Sequence, residues 1–115
     1  MAEAFNTASI AVTSSEQLLY TAPSADAADV AIIISLRVTN IDGAADDTVT
    51  CTIYQSDGTT KKAEIAHTMT VPADSSLELA GTSKLVLESG EQIKITGGAA
   101  SGDLEAYLSA LEITV

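Results

Sequence analysis

Alternation of apolar and polar side chains with a period of two recurs along this chain, and no long segment shows the 3.6-residue period of a helix. The clearest example is the segment 30–39, whose apolar alternate positions are Val30, Ile32, Ile34, Leu36 and Val38. Alternate side chains of a strand point to the same side. The pattern therefore predicts a central strand with one continuous apolar face, in an all-β fold.

Turn-forming residues divide the chain into segments of strand length. Asn40-Ile41-Asp42-Gly43 and Ser56-Asp57-Gly58-Thr59 each contain Asp-Gly, which tolerates the positive φ of a tight turn. The second turn separates segments 48–55 and 61–71, and their alternating patterns predict a hairpin. In its second arm we expect one inward face made of Ala63, Ile65, His67, Met69 and Val71.

Shorter alternating segments predict the remaining strands, at 10–12, 17–20, 77–79, 84–87, 92–96 and 104–115. About eight strands spaced by about 8–12 residues are typical of a sandwich or barrel. We expect residues 1–115 to form one antiparallel β-sandwich domain, of jelly-roll or immunoglobulin-like type. Residues 1–8 are a candidate assembly arm, and the small residues 97–102 predict a flexible loop.

The last strand changes phase along its length. Leu104, Ala106 and Leu108 share one side, whereas Leu111, Ile113 and Val115 continue on the other. A β-bulge near Ser109-Ala110 would reconcile the two halves. Alternatively, the strand passes from one sheet or subunit to another, which makes Leu111 and Ile113 candidates for contact with a neighbour.

The charge of the chain limits its partners. Sixteen acidic and five basic residues give a net charge of −11, which disfavours nucleic acid and anionic membranes. Such a surface suits solubility or docking on a basic neighbour. The start of the sequence predicts no secretory signal, and the longest apolar run, 30–34, is far too short to span a membrane.

The sequence presents no constellation that predicts catalysis, so we expect no enzyme and no cofactor. His67 is the only histidine, and no motif supplies it with an orienting acid and a nucleophile. Asp42, Asp46 and Asp47 could seed a metal site, but their spacing does not match an EF-hand loop and a solvated turn is favoured. Cys51 is the only cysteine, in phase with apolar neighbours, which predicts a buried and inert thiol.

Five segments together resemble the small β-sandwich virion proteins of tailed bacteriophages, over nearly the whole chain. They are Leu18-Leu19-Tyr20-Thr21-Ala22-Pro23, the strand ending at Asp42-Gly43, Val71–Leu77, Lys84–Ile93 and Leu108–Val115. In such proteins the Tyr-x-x-Pro segment leads into the first core strand and Leu-x-x-Gly-x-x-Ile makes a late turn. The resemblance implies assembly contacts and no catalysis.

The expected function is therefore that of a capsid decoration (cement) protein, which binds between capsomers in a virion assembled in the host cytoplasm. The expected partners are the major capsid protein or other virion proteins, and further copies in a homo-oligomer. Phe5, Arg37, Lys61 and Lys62 join Leu111 and Ile113 as interface candidates, although edge-strand protection also explains the two lysines. A phage neck or tail component is the alternative; a carbohydrate-binding or adhesion module is disfavoured, because the chain has no Trp and only three Tyr.

Overall fold

The computed structural model describes residues 1–98 and 103–115 and contains nine β-strands there. They are β1 (Ala2–Val12), β2 (Gln17–Thr21), β3 (Val30–Asn40), β4 (Asp47–Tyr54), β5 (Lys61–Val71), β6 (Ser76–Glu78), β7 (Leu85–Glu88), β8 (Gln92–Gly97) and β9 (Leu104–Thr114). A 3-10 turn, Gly81–Ser83, lies between β6 and β7. Within the described residues no helix is long and apolar enough to cross a membrane.

The strands pair in a nested order. β1 pairs with β9, β2 with β8, β3 with β6 and β7, and β4 with β5, all antiparallel. Two further pairings, β3 with β9 and β4 with β8, roll this long hairpin into a five-stranded and a four-stranded sheet. The fold is an antiparallel β-sandwich, and this nested order is that of a jelly roll rather than of an immunoglobulin domain.

The core between the sheets is aliphatic, as the scarcity of aromatic residues requires. Its fully buried larger side chains are Ile33, Leu36, Leu87, Ile93, Ile95, Leu104, Leu108, Val12, Val38, Val49 and Val71. Cys51 is also fully buried, which confirms the predicted position of its thiol. Branched aliphatic residues suit this role because they pack well on pleated surfaces.

The predicted hairpin is confirmed as β4 and β5. Its turn depends on Asp57, whose carboxylate accepts hydrogen bonds from the backbone N–H groups of Thr59 and Thr60 at 2.9 and 2.8 Å. Gly58 adopts a φ of 74°, a value that glycine reaches without the steric penalty of a Cβ atom. The Asp-Gly signal therefore marks the turn for the physical reason that the sequence suggested.

The prediction of one continuous apolar face on β3 is wrong. Ile33 and Leu36 are both fully buried although they are three residues apart. The register with β9 pairs Ile33 with Ala110 and Ser35 with Ser109, so Ile34 is an extra residue in β3. This bulge switches the buried side chains from odd to even positions.

The predicted bulge near Ser109-Ala110 is also wrong. β9 pairs with β1 without interruption from Leu104 to Thr114, and the irregularity belongs to β3 instead. Leu104, Ala106, Leu108 and Ala110 consequently all face the core. Leu111 and Ile113 lie on the opposite face of the same regular strand, within one sheet.

The predicted inward face of β5 does not form. β5 pairs with β4 through three register shifts, and Thr68 has a φ of 48°. These irregularities bury Ala66 and Val71 but leave His67 and Met69 exposed. Of the predicted loop 97–102, Gly97 ends β8 and residues 99–102 lie outside the described part of the chain.

The gap between β6 and β7 is closed by Glu78. Both short strands pair with β3, β7 at Val30–Ile33 and β6 at Arg37–Thr39. Between them, the Glu78 carboxylate accepts hydrogen bonds from the N–H groups of Leu36, Ala80 and Gly81 at 2.7, 3.2 and 3.3 Å. Burial opposes ionisation of Glu78, but these three donors hold the pKa of the carboxyl below its ordinary value of 4.5.

Substitution of Leu108 by Ala should lower the free energy of unfolding by about 3 kcal/mol, because the lost methyl groups leave a cavity in a packed core. The matched control is Leu18→Ala, where the leucine is 49% exposed and the expected loss is below about 1 kcal/mol. Urea denaturation of both variants measures the difference. Equal losses would contradict the assignment of the core.

Replacement of Glu78 by Gln should destabilise the fold near neutral pH, because the charged acceptor of three N–H groups is lost. Since the folded-state pKa is lowered, the contribution is complete above the ordinary value of 4.5 and disappears as pH falls through the folded value. Thermal melting across an acid series should therefore show the gap between the native chain and the variant closing. Glu3→Gln, at an exposed position, should show no such gap; a gap independent of pH for Glu78→Gln would contradict the role of its charge.

Candidate assembly surface

The outer face of the five-stranded sheet carries a row of four apolar side chains, one from each of four strands. Phe5 lies opposite Leu111 of β9, Leu111 lies opposite Ile32 of β3, and Ile32 lies opposite Val86 of β7. We call these four residues the apolar row. Phe5 is 78% exposed and Val86 59% exposed. Directly opposed residues of an antiparallel pair have neighbouring side chains, so the row forms one contiguous strip.

Polar and charged residues flank the apolar row. On one side the next register row holds Ile113 and Val30 between Glu3 and Glu88. On the other side Tyr107, which is half exposed, pairs with Ser9 of β1 and with Arg37 of β3. An apolar centre with a polar rim is the composition of a protein–protein interface.

The structure thus brings four of the six interface candidates onto one surface. Phe5, Arg37, Leu111 and Ile113 all lie on the outer face of the five-stranded sheet. Ile32 and Val86 belong to the same surface but are not among the residues that the sequence suggested. The signal for Val86 was its alternation with Leu85 and Leu87, because the middle residue of a strand whose neighbours face inward must face outward.

The other two candidates, Lys61 and Lys62, lie elsewhere, on the edge strand β5 of the four-stranded sheet. Lys61 pairs with Glu64 at 3.3 Å. Lys62 contacts Glu88 at 3.1 Å and the buried carboxylate of Glu91 at 2.6 Å. Hydrogen bonds to these two glutamates raise the pKa of Lys62. Both ion pairs of Lys62 are therefore intramolecular. Its position on an edge strand agrees with protection of that edge against pairing with another chain.

The first residues of β1 are paired rather than detached. The sequence suggested residues 1–8 as an arm, but residues 2–8 form a ladder with β9. Glu112 of β9 supports this end of the sheet by accepting hydrogen bonds from Asn6 of β1, at 3.2 Å, and from the hydroxyl of Tyr20 of β2. Burial and the Glu112 carboxylate together raise the pKa of the Tyr20 phenol, which stays the donor. The candidate arm is part of a surface that the fold has already ordered.

The aspartates of the 42–47 loop accept hydrogen bonds from backbone N–H groups. Asp42 accepts hydrogen bonds from the N–H groups of Ala44 and Ala45, and Asp46 accepts one from Ala73. Asp47 binds the N–H groups of Thr48 and Gly98 with one carboxylate oxygen, while its other oxygen is buried without a hydrogen-bond partner. Among residues 1–98 and 103–115, no three acidic, histidine or cysteine side chains are placed to hold a metal ion.

His67 lies on the exposed side of β5, and its side chain contacts Glu64 through Nδ1 at 3.0 Å. The sequence had placed it on an inward face, at a strand end or an interface. The bulges of β5 described above turn it outward. In the described part of the chain this histidine is thus a component of a charged sheet edge, together with Lys61 and Glu64.

Comparison with known proteins yields a fold likeness. No protein-family model matches the chain, and no curated protein matches it. Among solved structures, the chain is similar to one from work on Bacillus endospore appendages, described as a novel family of disulfide-linked pili. The TM-score is 0.61 at 13% sequence identity, over 99% of this chain and 88% of the other. At this identity the likeness establishes the β-sandwich fold.

Proposed function

We propose that this chain is a structural protein of a bacteriophage virion, a decoration (cement) protein that binds between capsomers through the outer face of its five-stranded sheet. The observation that carries an assembly role is the apolar row. The resemblance of segments 18–23, 71–77, 84–93 and 108–115 to small phage virion proteins supports the phage assignment.

The apolar row supplies a driving force for association. Full burial of a side chain such as Phe5 or Val86 contributes about 2 kcal/mol relative to leaving it in water. Isolated exposed apolar side chains are ordinary on protein surfaces, whereas contiguous strips mark interaction sites. A protein that binds a shell through many such contacts is held by their number rather than by the strength of each.

The charge of the chain indicates what kind of neighbour it fits. With a net charge of −11, the chain is attracted to a basic surface, and acidic proteins are repelled. Glu3, which flanks the row, would face a basic residue beside an apolar patch on a capsomer, whereas the carboxylate of Glu88 is already paired with Lys62. Arg37 stands at the side of the same face and suits an acidic residue of the neighbour.

A subunit of an extracellular filament is the second candidate, and the fold shared with the endospore appendage protein favours it. That protein is described as disulfide-linked. In this chain the only cysteine is the fully buried Cys51, so filaments of this protein would be held by noncovalent contacts. A phage neck or tail component is the other phage alternative, and it would differ from a decoration protein in symmetry and attachment site.

Replacement of Phe5 by Glu should abolish incorporation of the protein into particles, because a carboxylate would have to be buried in an apolar contact. The matched control is Ile41→Glu, since Ile41 is also exposed, at 56%, but lies in the loop after β3. Both positions are exposed, so both variants should fold with the native circular dichroism spectrum. Quantitative mass spectrometry of purified particles gives the copies retained.

The same measurement separates the candidates. If the Phe5→Glu variant is absent from particles and the Ile41→Glu variant is incorporated, the result supports the outer face as the contact surface. A copy number comparable with the number of capsomers supports decoration. A small number of copies per particle supports the neck or tail. Absence from particles, together with filaments of the purified chain in negative stain, supports the filament subunit. Native incorporation of Phe5→Glu would refute the role of the apolar row.

Cys51 should stay unreactive in the folded protein. Burial raises the pKa of its thiol to about 12, so almost no thiolate forms in mildly alkaline buffer, and the reagent cannot reach the sulfur. Ellman's reagent should label the chain only after unfolding, whereas a Cys51→Ala, Thr59→Cys variant should react at once. Rapid labelling of the native chain, or dissolution of its assemblies by a reducing agent, would contradict noncovalent assembly.

A further inference from the structure

The two long edge strands of the sandwich differ in how they are protected. β5 carries Lys61, Lys62 and Glu64, pairs with β4 through three register shifts, and contains the positive φ of Thr68. Charges and bulges of this kind prevent the edge of a sheet from pairing with another chain. Edge-to-edge association through β5 is therefore disfavoured.

β1 has neither the register shifts nor the positive φ of β5, and it carries a single charge. Its eleven residues, Ala2–Val12, pair with β9 in eleven consecutive positions without a register shift, and Glu3 is its only ionisable side chain. In the described chain no strand pairs with its other edge.

The N–H of Thr7 donates to the side-chain oxygen of Asn6 at 2.9 Å. Ile41 donates its N–H to the carbonyl of Asp103, so the odd-numbered residues of β9 bond to β3 and its even-numbered residues bond to β1. Thr7 pairs with the odd-numbered Ser109, so its N–H points toward the free edge.

We infer that the free edge of β1 binds the same edge of a second copy of this chain, antiparallel, with a two-fold axis at Thr7. Thr7 is the midpoint of Ala2–Val12, so this register places Ala2 opposite Val12 of the second copy and pairs the strand over its whole length. An isologous contact of this kind uses one surface twice. The inference rests on the proposed assembly role and specifies one of its contacts.

The side chains of the outer face are complementary in this register. Phe5 lies opposite Ser9 of the second copy, because their numbers are symmetric about Thr7. Ser9 and Ala11 line a depression on this face, together with Thr39, Glu105 and Tyr107. The small side chains leave room for the exposed ring of Phe5, and Tyr107 offers it an aromatic neighbour. The two-fold axis generates a second, identical contact between Phe5 of the other copy and Ser9 of this one.

The inner faces of the two copies also fit together. Residues 2–7 of β1 are exposed, whereas Ala8, Ile10 and Val12 are covered by the four-stranded sheet. Antiparallel pairing places the covered half of each β1 beside the open half of the other. The two four-stranded sheets are then offset along the strand direction, which leaves room for both.

Charge favours this edge as the meeting point of two acidic chains. Copies with a net charge of −11 repel one another over most of their surface. Along β1 the only acidic side chain is Glu3, and the two-fold register places it opposite Ala11 rather than opposite the second Glu3. Glu105 pairs with Ala11 and therefore lies two strand spacings, roughly 10 Å, from Glu3 of the second copy. No two carboxylates are directly opposed across the new strand pair, so its backbone hydrogen bonds can form with little direct repulsion.

Proline at position 7 tests the contact, because it removes a donor that β9 does not use and that the second copy needs. Sedimentation equilibrium over micromolar to millimolar concentrations should give a dimer for the native chain and a monomer for Thr7→Pro. Thr7→Val, which keeps the N–H, should remain a dimer. Circular dichroism checks that each variant is folded. A native chain that stays monomeric, or a dimer that Thr7→Pro leaves unchanged, would overturn the inference.

A disulfide test fixes the register without relying on proline. In a Cys51→Ala background, Thr7→Cys should form a crosslinked dimer on oxidation, because directly opposed Cα atoms are about 5 Å apart, within disulfide range. Ala11→Cys in the same background should not, since eight residues of strand separate its two copies by roughly 26 Å. Equal crosslinking of both, or of neither, would refute the two-fold axis at Thr7.

These experiments separate the inference from the proposed function. Thr7→Pro alters the edge and leaves the apolar row in place. Incorporation of a monomeric native chain into particles would therefore refute only the self-pairing of β1. Because Phe5 belongs to both proposed contacts, Val86→Glu tests the outer face alone: Val86 is 59% exposed and lies on β7, at the opposite edge of the sheet from β1. Loss of the Val86→Glu variant from particles supports the outer face, whichever result the edge gives.

Discussion

The uninterrupted pairing of the first strand with the last determines which side chains enter the core and which face outward. β9 lies between β1 and β3 in the five-stranded sheet and is paired along its full length on the β1 side. Its strict alternation places Leu104, Ala106, Leu108 and Ala110 in the core. The same alternation puts Tyr107, Leu111 and Ile113 on the opposite face, so the core and the candidate assembly surface are two sides of one ladder.

That division explains how an acidic protein can present an apolar contact. The ionisable side chains are concentrated at turns, at the β5 edge and around the rim of the outer face, where they keep the protein soluble. The centre of the outer face is left to Phe5, Leu111, Ile32 and Val86. A carboxylate in this centre would cost desolvation on every contact with a neighbour, so its apolar composition suits association more than solubility.

Much of the architecture could be predicted from the sequence, because period-two patterns and Asp-Gly turns are local signals. The β4–β5 hairpin and the sandwich class follow from them. The bulge at Ile34 could not be predicted, because Val30, Ile32 and Ile33 are all apolar and fit either face. The sequence does show the change of phase at Ser109-Ala110. However, such a change also arises in a regular strand that has apolar residues on both faces, as β9 has.

The candidate site was predictable only in part. Leu111 and Ile113 could be identified because they change the phase of the apolar positions in the last strand. Phe5 could be identified because it is an apolar residue in the segment before the first predicted strand. Val86 and Ile32 join them only through the register between strands, which depends on pairing distant in sequence. Lys62 was ambiguous for the same reason, since its partners Glu88 and Glu91 become neighbours only in the folded chain.

A cryo-electron-microscopy map of the particle or filament that contains this protein would show which of its surfaces touch neighbouring protein. We expect the outer face of the five-stranded sheet and the β1 edge to be covered, with Phe5 and Val86 buried in the contact. A map in which this face is open to solvent, while the loops at the ends of the sandwich or the β5 edge make the contacts, would contradict this expectation.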